Sequence, residues 1–84
     1  MKTRKQDYGR ANIVGKTVER IRKEKGSKQK DLIARMQVMG CDIDPSSYSK
    51  LEGQLRSATD KELYVIAKIL DVPMEALFEH FGEE

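Results

Sequence analysis

The residues of this chain best suited to chemistry sit in one short run, Asp44-Pro45-Ser46-Ser47-Tyr48-Ser49-Lys50-Leu51-Glu52. Ser46 and Ser47 each offer a hydroxyl that donates and accepts hydrogen bonds. Lys50 offers a charged donor, and Pro45 an apolar ring. These groups suit recognition of a patterned polar surface better than bond breaking. The one histidine, His80, lies far along the chain with no serine or cysteine partner near it, so a catalytic triad is not expected. No HExxH or calcium-loop pattern occurs. Cys41 is the single cysteine, which excludes an internal disulfide and a multi-cysteine zinc site. We therefore expect no enzyme, no catalytic residue, no cofactor and no metal.

The spacing predicts how this run is presented. Asp44 can cap free N–H groups, and Pro45 suits the first helical position, where its missing N–H costs nothing. Tyr48 and Leu51, three apart, turn inward together and leave the small polar residues outward. The helix covers residues 45–52 and is closed by Gly53. A helix from Gln29 to Met39 precedes it, burying Leu32, Ile33 and Met36, with Met39 or Val38 extending that face. Asp31 in its first turn suits the helix dipole. Gly40 ends it, and Ile43 can staple onto Tyr48. The first helix starts after Asn12 and runs to Lys25, with an apolar stripe of Val14, Val18 and Ile21 and a terminating Gly26. A polar loop, Gln54 to Ala58, leads to the capping box Thr59-Asp60-Lys61-Glu62. Leu63, Ile66, Ala67 and Leu70 follow at helical spacing. Val72-Pro73 interrupts, and a last short helix runs from Met74 to Phe81. No segment alternates as a strand does. The expectation is an all-α, compact five-helix domain with a helix-turn-helix at helices 2 and 3, and double-stranded DNA as the leading partner.

Composition fits this reading. Eighty-four residues make one domain, with residues 1–11 as a basic flexible arm, 12–81 as the folded unit and 82–84 as an acidic tail. The net charge of +2 is unremarkable, but its distribution is not. Residues 1–30 hold eleven Lys/Arg against three Asp/Glu, while residues 31–84 hold five against eleven. A basic N-terminal side can meet phosphate. The arm cations Lys2, Arg4, Lys5 and Arg10 can reach around a duplex, although a solubilising tail explains them slightly better. No apolar run approaches the roughly 20 residues needed to span a bilayer, and nothing resembles a secretory signal. A cytoplasmic protein is expected.

Four pieces in order resemble the helix-turn-helix domains of the lambda-repressor-like class, also called Cro-type or xenobiotic-response-element-type regulators. They are Val14 to Arg22, Gly26 to Ala34, Tyr48 to Glu52, and Leu63 to Phe78. The resemblance covers about residues 13–78. It implies a sequence-specific DNA-binding transcriptional regulator, in first expectation a repressor, whose helix 45–52 enters the major groove as a homodimer. Pro45, Ser46, Ser47 and Lys50 are then the base-contacting residues, and Lys28, Gln29 and Arg56 the DNA-backbone contacts. Glu52 resembles an acid that pairs with a cation or backbone within the domain.

The chain departs from the family pattern in four places. Lys28 replaces the usual Thr or Ser before Gln29, leaving that cap weak or passing it to Ser27. The link after Ala34 is about four residues longer, roughly one extra helical turn. Pro45 replaces a polar residue, and Gly53 sits one position early. No small-molecule ligand is expected. The alternative function is a protein-interaction module, or an antitoxin-type partner protein, using the same fold.

Overall fold

The computed structural model describes residues 10–78. The expectations for the arm before Arg10, for Phe81 and His80, and for the tail lie outside the described residues. The described chain is all-helical. Four α-helices, α1 (Gly15–Glu24), α2 (Gln29–Val38), α3 (Pro45–Glu52) and α4 (Asp60–Leu70), precede a short 3-10 helix (Met74–Phe78). No helix among them is long and apolar enough to cross a membrane.

The core collects the predicted stripes. Val14, Val18 and Ile21 meet Leu32, Ile33 and Met36, then Tyr48 and Leu51, then Ile66, Ala67 and Leu70; on this last helix Val65 is buried as well, while Leu63, expected inside, is only partly buried. Ile43 and Tyr48 are buried in the same cluster, as a staple requires. Leu77 closes the core from the 3-10 helix, while Met74 and Phe78 are exposed.

Helix ends explain the differences from expectation. α1 starts at Gly15 rather than just after Asn12. Asn12 still does the capping, because its Oδ1 accepts from the Val14 and Gly15 amides at 3.0 and 2.8 Å. α2 stops at Val38 instead of Met39, and Val38 is 87% exposed, so neither it nor the exposed Met39 extends the buried face. The cause is the turn at Gly40, where the Cys41 amide reaches back to the Met36 carbonyl. The chain leaves the core there and returns at Ile43. Lys28 occupies the N-cap of α2 with no side-chain cap, and Ser27 does not replace it.

α3 spans the predicted residues, with the Asp44 carboxylate accepting from the Ser47 amide at 2.7 Å. Its closing residue differs. Gly53 has an ordinary φ of −78°, and the left-handed position falls on Gln54, φ 63°. Four α-helices share this ending. Gly26, Gly40, Gln54 and Asp71 take positive φ, and the next amide donates to the carbonyl five residues back, from Ser27, Cys41, Leu55 and Val72 respectively. This is the Schellman pattern, which satisfies otherwise free helix carbonyls. Gln54 accepts the strained turn because it is tied down: its Nε2 donates to the Asn12 carbonyl, and its own carbonyl accepts from the Ala11 amide.

Candidate nucleic-acid interface

Three groups of hydrogen bonds fix α3 in place. The first is centred on Glu52. Arg22 Nε and Nη2 donate to its two oxygens at 2.7 and 3.2 Å, and Gln29 Nε2 donates to Oε1 at 3.0 Å. The Tyr48 hydroxyl donates to Oε2. Arg22 also donates through Nη1 to the Ser27 carbonyl at 2.7 Å, so α1, the turn before α2, α2 and α3 meet at one carboxylate. The two charged side chains are only 8% and 4% exposed. Pairing with Glu52 holds the Arg22 guanidinium protonated more firmly than usual. Burial, and then the hydrogen bond to Glu52, push the Tyr48 hydroxyl well above the ordinary tyrosine range. Glu52 thus has the structural role expected of it, while its partner Arg22 was not foreseen.

The second group is Asn12. Its Nδ2 donates to the Leu51 and Arg56 carbonyls at 2.9 and 2.8 Å, clasping the end of α3 to the start of α1.

The third is Arg56. Its Nε donates to the Ser47 carbonyl at 2.9 Å, its Nη1 to the Ser57 carbonyl, and its Nη1 and Nη2 to both Glu62 oxygens at 3.0 and 2.9 Å. Arg56, expected on the DNA backbone, makes these four hydrogen bonds within the domain and so joins the middle of α3 to the start of α4. Glu62 simultaneously completes the predicted capping box with Thr59. Burial alone would raise the Glu62 carboxyl, but hydrogen bonds from Arg56 and the Thr59 backbone outweigh it and hold the carboxyl below its usual range.

A stability consequence follows for Glu62. Its folded value is depressed, so its contribution is complete above the ordinary carboxylate value of 4.5 and is lost as pH falls through the lower folded value. Urea midpoints measured from roughly pH 5 to 3 should fall more steeply for the wild type than for Glu62→Gln. Parallel curves would show that the Arg56 clamp adds nothing.

With its inner face locked, α3 presents Pro45, Ser46, Ser49 and Lys50 to solvent, and Ser47 is half-covered. Ser46 and Lys50 lie opposite Tyr48 and Leu51, one helical turn apart. No hydrogen bond or ion pair holds the Lys50 ammonium among the described residues. Ser49 is the exposed polar residue that the sequence reading did not single out. At 100° per residue it flanks the inward stripe, so its exposure follows from helical geometry once Tyr48, Leu51 and Glu52 are placed inside.

The N-terminus of α2 adjoins this strip. The Ser49 hydroxyl donates to Gln29 Oε1 at 3.1 Å. Lys28 and Lys30 flank Gln29 and are exposed. Pro45 and Lys30 line a shallow depression of about 340 Å³ between α2 and α3, floored by Ile33 and Ala34. Of the expected contacts, Pro45, Ser46, Lys50, Lys28 and Gln29 thus share one surface. Gln29 is internally bonded through both its amide nitrogen and its oxygen, leaving one N–H proton for another acceptor. Cys41 is half-buried in the turn, and burial pushes its thiol up, away from a reactive thiolate.

No family model, curated protein or solved structure was found to match the chain.

Proposed function

We propose that this protein is a sequence-specific double-stranded DNA-binding transcriptional regulator, acting as a repressor and reading the major groove with α3. The observation that carries the proposal is the division of α3 into two faces. Tyr48, Leu51 and Glu52 are buried, while Ser46, Ser49 and Lys50 are exposed on a helix anchored to three neighbours. A helix held this firmly presents side chains at fixed positions, which base readout needs. Lys28 and Lys30 beside it supply charge for phosphate, and phosphate contacts set the register in which bases are read. α2 and α3 then form the helix-turn-helix, and α4 with the 3-10 helix supports them from behind.

A protein with one such helix gains specificity by pairing. We propose a homodimer on an operator with two half-sites, its recognition helices about 34 Å apart. Selection of bound sequences from a random DNA pool tests the proposal, with a palindromic consensus expected. Affinity for that consensus should fall about 10³–10⁵-fold between 50 and 200 mM salt if 6–10 phosphates are neutralised. Failure to enrich any sequence, with salt-independent binding, would overturn the proposal and favour a protein-interaction module.

Lys50→Ala should cost the consensus about fivefold in affinity, the lower end for a base contact because lysine is a single point donor. Unrelated DNA should lose less. Competition binding with consensus and scrambled duplexes measures both, and equal losses would remove Lys50 from base reading.

A further inference from the structure

We infer that Ser49 is a specificity-determining hydrogen-bond acceptor, selecting a base that displays an amino group in the major groove. This rests on the DNA-binding reading of α3. The argument follows the direction of the hydrogen bonds from the core outward. Glu52, paired with Arg22, can only accept. The Gln29 group facing it at 3.0 Å must therefore be the amide NH₂, which fixes the orientation of the side chain. Gln29 Oε1 then faces Ser49, and an amide oxygen can only accept. The Ser49 hydroxyl accordingly spends its one proton on Gln29, at 3.1 Å.

What remains on Ser49 is a pair of lone pairs on an exposed oxygen. An isolated serine discriminates poorly because its hydroxyl rotates to donate or accept. Here rotation would break the bond to Gln29, so the oxygen is polarised as an acceptor. In the major groove, adenine N6 and cytosine N4 are donors, whereas guanine O6 and N7 and thymine O4 are acceptors. Ser49 favours A or C at the position it faces and disfavours G or T. Gln29 is its positioning residue: it touches the reader and sets what the reader can do.

Three proteins are compared by selection from the same random pool: wild type, Ser49→Ala and Gln29→Ala. The wild type is expected to show one position per half-site restricted to A or C, with G or T about 2- to 10-fold weaker, the worth of a net hydrogen bond. Ser49→Ala should erase the preference at that position alone. Gln29→Ala should also let that position accept G or T, since the freed hydroxyl can donate, while the other positions keep their preferences. A merely structural role for Gln29 would weaken all positions together and would overturn the positioning claim. Ser49 is exposed, so Ser49→Ala remains informative even where Gln29→Ala unfolds, and Ser49→Thr should restore the preference. A consensus unchanged by Ser49→Ala, or one with G or T at the affected position, overturns the inference and leaves DNA binding intact. No enriched sequence for the wild type overturns the DNA reading itself, and the inference with it.

Discussion

Glu52→Ala is expected to destabilise the protein by about 3–5 kcal/mol, the usual cost of removing one partner of a buried ion pair. A domain of this length has a total stability of about 4–13 kcal/mol at ordinary values per residue. The substitution should therefore remove a large share of the stability, and at the lower end of that range it leaves the protein partly unfolded. Loss of an attraction is the smaller part of the reason. Arg22 would remain buried with its charge, and the Tyr48 hydroxyl and the Gln29 amide would lose their acceptor on Glu52. Each orphaned buried donor adds about 1–3 kcal/mol.

The mechanism makes a second, sharper demand. In a Tyr48→Phe background one of the stranded donors is absent, so Glu52→Ala should cost about 1 kcal/mol less than in the wild type. Chemical unfolding of the four proteins in that cycle gives the answer. A Glu52→Ala cost below about 1 kcal/mol, or strict additivity with Tyr48→Phe, would mean that the carboxylate is not the junction its four hydrogen bonds indicate.

What could be read ahead in the sequence, and what could not, divides by distance along the chain. The Asp44–Ser47 cap and the Thr59–Glu62 box join residues three apart, and both formed as expected. The inward turn of Tyr48 and Leu51 follows from a single helical turn. By contrast, Arg22 and Glu52 are joined across 30 residues, and Asn12 reaches Leu51 across 39. Arg22 in the last turn of a helix has a sufficient local explanation in the helix dipole, so nothing local pointed to Glu52. The internal partners of Arg56 were equally out of reach of local reading. Its place after α3 suggested a phosphate contact, and only the folded chain brings Glu62 and the Ser47 carbonyl to its guanidinium. Gln54 marks another boundary, since left-handed backbone is expected at glycine and Gly53 was adjacent. Long-range ties at Asn12 and Ala11 moved the turn by one residue.

Gly15→Ala should destabilise by about 1–3 kcal/mol, although helix propensity alone argues for a gain approaching 1 kcal/mol. Gly15 begins α1, where alanine would ordinarily be the better helix former. The added Cβ, however, would stand 2.5 Å from the Leu51 carbonyl oxygen, 2.6 Å from that of Glu52 and 2.9 Å from Gln54 Cγ. Two of these neighbours are backbone atoms at the end of α3, and they cannot rotate away. The Leu51 carbonyl is also held by Asn12 Nδ2. α1 must therefore move off α3, loosening the Asn12 clasp and the Arg22–Glu52 pair together.

The same displacement bears on function, because it shifts the helix proposed to read DNA relative to the lysines proposed to set its register. Gly15→Ala should therefore lose more affinity for a selected consensus than for unrelated DNA, even at a temperature where it is fully folded. Thermal unfolding and competition binding on the same preparation separate the two effects. A higher melting temperature for Gly15→Ala would show that the two helices do not approach as closely as these distances require. A lower melting temperature with unchanged discrimination would show that the placement of α3 against α1 matters to the fold but not to the reading of bases.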